Sequence, residues 1–152
     1  MGIQVFMSVA DPTLADRVNQ AEDERVLVKF LEGTDTVALE WEWELVVRML
    51  RLRDDRNLVT LSNPVDDVVL GEALYLTPSE VASVTTEAVT FDEERLRQRL
   101  HEAQADDRDA ETTEPEIESD PTETQIINTA AKIVDLYRVA TEQGLGIITL
   151  IT

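Results

Sequence analysis

The chain carries one imidazole, His101, and no cysteine. Thiolate nucleophiles, disulfides and cysteine-ligated zinc or iron–sulfur sites are therefore excluded, as is any intramolecular metal site that needs two histidines. Serine–histidine catalysis would have to use His101, yet none of Ser8, Ser62, Ser79, Ser83 or Ser119 lies between the glycines of a nucleophile elbow. His101 stands beside Glu102 near the expected end of an exposed helix, where a cationic side chain is favoured, and this reads as a surface role. Gly144-Leu145-Gly146 has Thr149 where a dinucleotide loop needs its third glycine, and it follows a helix instead of a strand. It reads as a helix cap, and no cofactor is expected.

Carboxylates are the abundant chemistry, so abundant that no acid–base pair stands out. Glu40, Glu42 and Glu44 would share one face in a strand, but in a helix they fan out over about 200°. Asp107 and Asp109 hint at calcium, but their segment lacks the glycine and the regular oxygen spacing of a calcium loop, so no metal is expected. Trp41 and Trp43 could stack a ligand, although tryptophans beside a run of apolar residues more often join a core.

Thirty-two acidic residues against 13 basic ones leave a net charge of −19, and of the basic residues only Lys29 and Lys132 are lysines. Ten carboxylates face Arg108 alone between Glu102 and Thr124. A phosphate backbone would be repelled, so nucleic acid is not an expected partner. The acidity then reads either as a solvated anionic surface or as a lure for a basic protein partner. With 43% apolar residues over 152, the chain is expected to fold as one domain, residues 1–152. Its longest charge-free runs are about half the length of a membrane-spanning helix, so no membrane partner is expected. No basic residue precedes Arg17, unlike a secretory signal, and a cytoplasmic location is the expectation.

The elements that must hold these residues follow from periodicity. Ile3–Val9 alternates as a largely buried strand. Asp11-Pro12 opens a short helix, and Asp23–Glu32 forms another that ends at Gly33. Two periods compete over Val37–Arg53. Val37, Leu39, Trp41, Trp43, Leu45 and Val47 alternate as in a strand, while Leu39, Trp43, Val46, Val47 and Leu50 lie on one helical face. The run ending VVRMLRLR abandons the alternation after Val47, so a helix over about 40–53 is expected, with Glu40, Glu44, Arg48 and Arg51 exposed. Asn57–Ser62 and Val68–Leu70 are short strand candidates.

Leu76-Thr77-Pro78-Ser79-Glu80-Val81 contains an N-cap, a first-turn proline, a capping-box glutamate and a hydrophobic staple, so a helix starts at Pro78. Asp92 caps the next helix, with Leu96 and Leu100 inward and Arg95, Arg97 and Arg99 in water. Residues 104–120 read as an acidic exposed loop. A long helix follows over about 121–143, with Ile126, Ile127, Ala130, Ile133, Val134, Tyr137 and Ala140 as its stripe. Gly146–Thr152 is apolar on both alternating faces, the pattern of a central strand covered on two sides.

The opening MGIQVFMSVADPTLADRV, Leu39-Glu40-Trp41-Glu42-Trp43, LTPSEV at 76–81, Pro115-Glu116-Ile117, and Leu136-Tyr137-Arg138 with Gly144 and Ile147-Ile148 occur in one order along the chain. Together they resemble the YfbM-like family, a bacterial domain of unknown function. The resemblance implies an α/β fold, a small mixed sheet with helices on both faces and strands at the N- and C-terminal segments, and it favours the helix at Val37–Arg53. It implies no activity. Glu44 and Val47 stand here where members often carry histidines, and Glu118 stands where an aromatic follows Pro-Glu-Ile.

Two functional classes fit these residues. One is a non-enzymatic acidic binding module, an adaptor or an immunity-like inhibitor of a basic partner, in which the net charge would speed encounter. The other is a small hydrolase using carboxylates, with or without a divalent metal, in a cleft at the sheet's carboxyl ends, where open α/β folds bind ligands. A pocket gathering two or more carboxylates at metal-bridging distance would favour the second.

Overall fold

The computed structural model describes residues 4–10, 36–40, 42–61, 73–110 and 120–151, with side chains left aside at 10, 73, 106–110 and 120–122. Its elements in chain order are β1 (Val5–Ala10), β2 (Val37–Leu39), α1 (Trp43–Met49), β3 (Ala73–Leu76), α2 (Pro78–Ala88), α3 (Glu93–Ala110), α4 (Asp120–Gln143) and β4 (Gly146–Ile151). The strands form one sheet in the order β2-β1-β4-β3. The α/β class, with strands near both ends, is the one expected. Every pairing among the described strands is antiparallel, so the parallel neighbour of a mixed sheet does not occur among them.

Val5, Met7, Val37, Leu39, Leu76, Ile147 and Ile151 form one face of the sheet and join a single core with the apolar stripes of the helices. In α4 the stripe is the expected one with Leu136 added, and Tyr137 is its largest fully buried member. Ile148 and Leu150 point to the other face and are buried as well, so β4 is covered on both sides, as its sequence requires. The helices expected within residues 12–32 and the strand expected at Val68–Leu70 lie outside the described residues. Among the described residues no helix is long and apolar enough to cross a membrane.

Both periods over Val37–Arg53 are correct, each for a different piece. Val37 and Leu39 are buried around exposed Ala38 in β2, as alternation demands. The chain then turns, with the Trp43 N–H donating to the Glu40 carbonyl, and becomes helical only from Trp43. The helix expected over about 40–53 is thus shorter, 43–49. It stops because Asp54 and Asp55 form a reversal: the Asp54 carboxylate accepts from the Arg56 N–H, Asp55 takes a left-handed φ of 68°, and the Leu52 N–H donates to the Arg56 carbonyl. Val46, Met49 and Leu50 are buried, Trp43 and Val47 partly so, and Arg48 is half-buried where exposure was expected. Trp41 lies outside the described residues.

Where a strand was expected over Asn57–Ser62, the described residues 57–61 form a turn, and Ser62 lies outside the described residues. The Asn57 carboxamide oxygen accepts from the Val59 and Thr60 N–H groups at 2.8 and 2.9 Å, and its amide donates to Thr60 Oγ1. This side-chain competition with the backbone breaks the extended run, and Leu61 takes a left-handed φ of 55°.

The capping box at Thr77 and Glu80 forms in full, with both staple residues, Leu76 and Val81, buried. Thr77→Ala should lower stability by about 1 kcal/mol, seen as a lower urea midpoint with an unchanged slope. Asp92 caps α3 through the Arg95 N–H, and Leu96 and Leu100 are buried. Of the residues expected as an acidic loop over 104–120, 104–110 instead continue α3 and Asp120 belongs to α4, while 111–119 lie outside the described residues. Ala105, Ala110, Gln104 and Arg108 are good helix formers and prolong the helix past its apolar stripe. After α4, Gly144 at φ 67° and the bonds Gly144 N–H to Thr141 and Leu145 N–H to Ala140 form a Schellman cap.

Candidate functional site

A groove of about 890 Å³ opens between β2 and α4. Thr36, Val37, Ala38, Glu40 and Glu42 form one wall, and Thr124, Gln125, Asn128, Thr129 and Lys132 the other. β2 is an edge of the sheet as described, so the groove runs along the margin of the sheet. On α4 the lining residues Gln125, Asn128, Thr129 and Lys132 recur at helical spacing, opposite the stripe that enters the core. A smaller hollow of about 360 Å³ continues from it, sharing Thr36, Val37 and Lys132 and adding Asp135, Leu136 and Val139.

The three glutamates singled out in the sequence separate. Glu40 is exposed at the groove, and Glu44 is exposed on the first turn of α1. Glu42 is 6% exposed and its Oε2 accepts the Glu40 N–H at 3.2 Å, which holds the turn between β2 and α1. Of these three, Glu40 and Glu42 line the groove, and Glu40 is the one whose carboxylate is not given to the turn. Among the described residues, no three His, Asp or Glu side chains are grouped to hold a metal ion. Asp107 and Asp109 fall in the part of α3 where only the backbone is described.

His101 lies in the middle of α3, not near its end, since the helix runs on to Ala110. Its ring sits 3.3 Å from Glu123 Oε1, which also accepts from Arg97 at 3.2 Å. The residue links α3 to α4 on the surface, as a surface role requires. Among the serines, Ser79 and Ser83 are exposed on α2 and Ser8 is half-buried in β1. None of the three approaches His101 within hydrogen-bonding distance. Trp43 packs on the core and lines neither hollow.

Thr36, Thr124, Gln125, Asn128, Thr129 and Lys132 were not legible as site residues in the sequence. One signal bears on them: Thr124, Gln125, Asn128 and Thr129 make an uncharged polar stripe in a chain that is 30% charged. The groove offers hydroxyls and carboxamides that both donate and accept, with a carboxylate at one end and an ammonium at the other. Such a lining suits recognition of a polar segment.

Fold and groove together define a small α/β protein with an open polar groove at its sheet edge. No family model matches the chain, and no curated protein matches it. A solved structure does: YfbM from Escherichia coli, described as a protein of unknown function, is similar over 98% of this chain and 99% of its own length, with 18% identity and a TM-score of 0.51. That likeness is one of fold.

Proposed function

We propose that the chain is a YfbM-like domain spanning residues 1–152 and acts as a non-enzymatic acidic binding module, an adaptor or an immunity-like inhibitor, that takes an extended segment of a basic protein partner. The observation that carries this reading is the groove itself, polar, open and edged by Glu40 in a protein of net charge −19. Fold likeness to YfbM and the ordered motifs of the sequence support the family; the cysteine-free, acidic composition suits a cytoplasmic protein. From Gln125 to Lys132 the helical wall extends about 10 Å, enough for about three residues of an extended peptide. The net charge would raise the rate of encounter, while hydroxyls and carboxamides would fix register.

A fluorescent arginine- and lysine-rich peptide, titrated by anisotropy at low and moderate salt, tests the reading. Glu40→Lys with Asn128→Lys changes the groove by three charges, and Glu93→Lys with Gln98→Lys makes the same change on exposed positions of α3. The groove pair should weaken binding about tenfold, equivalent to about 1.4 kcal/mol, and the α3 pair by less than about twofold. Equal losses would assign the affinity to net charge alone and overturn the groove.

A further inference from the structure

The arginines are not spread evenly over this acidic protein. Arg95 and Arg99, one turn apart on α3, both lie on the ring of Phe91, with guanidinium carbons 4.5 and 5.7 Å from its centroid. Phe91 itself is buried, so the ring is a fixed platform and the two guanidiniums cover it half-buried. Arg99 Nη2 reaches the Arg51 carbonyl at 3.5 Å, which places the backbone of exposed Arg51 beside the same ridge, and exposed Arg53 follows two residues on, its N–H on Glu87 near the end of α2. The carboxylates nearest the ridge are bound to other groups than these guanidiniums: Asp54 pairs with Arg56, while Glu87 Oε2 and Asp92 Oδ1 accept the backbone N–H groups of Arg53 and Arg95. Among the described residues, no carboxylate forms an ion pair with Arg51, Arg53, Arg95 or Arg99, whereas Arg97 on the same helix is paired with Glu93 and Glu123.

We propose that Arg51, Arg53, Arg95 and Arg99 around Phe91 form a binding site for a compact phosphate group, independent of the groove. Guanidiniums stacked over an aromatic ring lose little freedom on binding an oxyanion, and each keeps N–H donors beyond the one that Arg95 gives to Thr90 Oγ1 and the one that Arg99 gives to the Arg51 carbonyl. Size decides which anion fits. The rest of the protein is strongly negative, but at physiological salt its field fades within about 8 Å, so a small dianion on the ridge meets chiefly arginine. An extended polyanion would run off the ridge onto the acidic surface and be repelled, so this site takes a phosphomonoester or pyrophosphate and not a nucleic-acid backbone.

Inorganic pyrophosphate, titrated at constant ionic strength into the full chain and followed by arginine side-chain NMR and calorimetry, tests the site. Saturable binding with a Kd of about 1 mM or tighter is expected, with shifts at Arg95 and Arg99. Arg99→Gln and Arg51→Gln should each weaken it about fivefold or more, and Arg97→Gln less than about twofold, with thermal unfolding confirming that each variant is folded. A phosphoserine peptide run in parallel separates the two sources of the same group, a modified partner or a small phosphorylated molecule, according to which ligand binds more tightly. No saturable binding, or equal effects of Arg97→Gln and Arg99→Gln, would overturn the proposal.

Discussion

Gly146→Ala is expected to destabilise the protein by about 3 kcal/mol, at the upper end of what overpacking usually costs. Gly146 opens β4 opposite Ala10, and a methyl group placed on it would stand 2.2 Å from the Leu76 carbonyl and 2.7 Å from the Tyr75 ring. Tyr75 pairs with Ile148, and its ring reaches diagonally along the sheet to lie over the glycine. The ring could swing aside, but the carbonyl belongs to backbone and can move only if β3 leaves β4. The two glycines of Gly144-Leu145-Gly146 therefore serve different ends. Gly144 supplies a left-handed φ with open space around it, so its substitution strains the backbone, whereas Gly146 supplies room. Equilibrium urea unfolding checks the prediction. A Gly146→Ala loss below about 1 kcal/mol would mean that β3 yields without strain, and would remove the close approach as the reason for this residue.

Where local chemistry decides the structure, the residues announce it. The capping box at Thr77 and Glu80, the Asp92 cap and the two-sided pattern of Gly146–Ile151 depend on neighbours a few positions away or on a period, and all three occur as their sequence implies. Residues 37–53 resisted because a strand, a turn and a helix follow one another within 13 positions, so two true periods overlap in one window. The turn at 57–61 resisted for another reason. Its apolar residues suggest a strand, but their burial is completed by partners 79 and 90 positions away, which no local pattern contains. The groove was illegible on the same ground, since its walls come from Thr36–Glu42 and from Thr124–Lys132 and meet only when the sheet edge docks beside α4. The arginine ridge was half legible: Arg95, Arg97 and Arg99 were expected in water, but stacking on Phe91 sets Arg95 and Arg99 apart from Arg97.

Tyr137 should be the most consequential single side chain for that remote turn. Its hydroxyl donates to the Leu58 carbonyl at 2.7 Å, and Thr149 Oγ1 donates to the next carbonyl, Val59, at 3.1 Å. Leu58, Val59 and Thr60 are fully buried, so a turn that would ordinarily give its carbonyls to water gives them to these two hydroxyls. Tyr137→Phe keeps the ring and leaves the Leu58 carbonyl without this donor, a loss of about 1–3 kcal/mol. Tyr137→Ala also empties the ring's place in the core and should cost about 3–5 kcal/mol, a large part of the 5–15 kcal/mol that holds a domain folded. The phenylalanine variant carries a second signature. Burial, reinforced by the negative charge of Glu80, pushes the phenol well above its ordinary value of 10, so the folded protein keeps this proton at pH values where the unfolded chain releases it. Below about pH 10 both states hold the proton and the residue adds no pH dependence; above it the folded state binds more protons, and stability falls as pH rises. Tyr137→Phe should therefore start less stable at neutral pH yet lose stability less steeply above about pH 10 than the parent protein. Because Tyr137 and Thr149 hold adjacent carbonyls of one turn, Tyr137→Phe and Thr149→Val should also combine to less than the sum of their separate losses. A Tyr137→Phe protein with neutral-pH stability within about 0.5 kcal/mol of the parent would show that the Leu58 carbonyl finds another donor, and an unchanged alkaline slope would show that the fold does not hold the phenol's proton more tightly than the unfolded chain does.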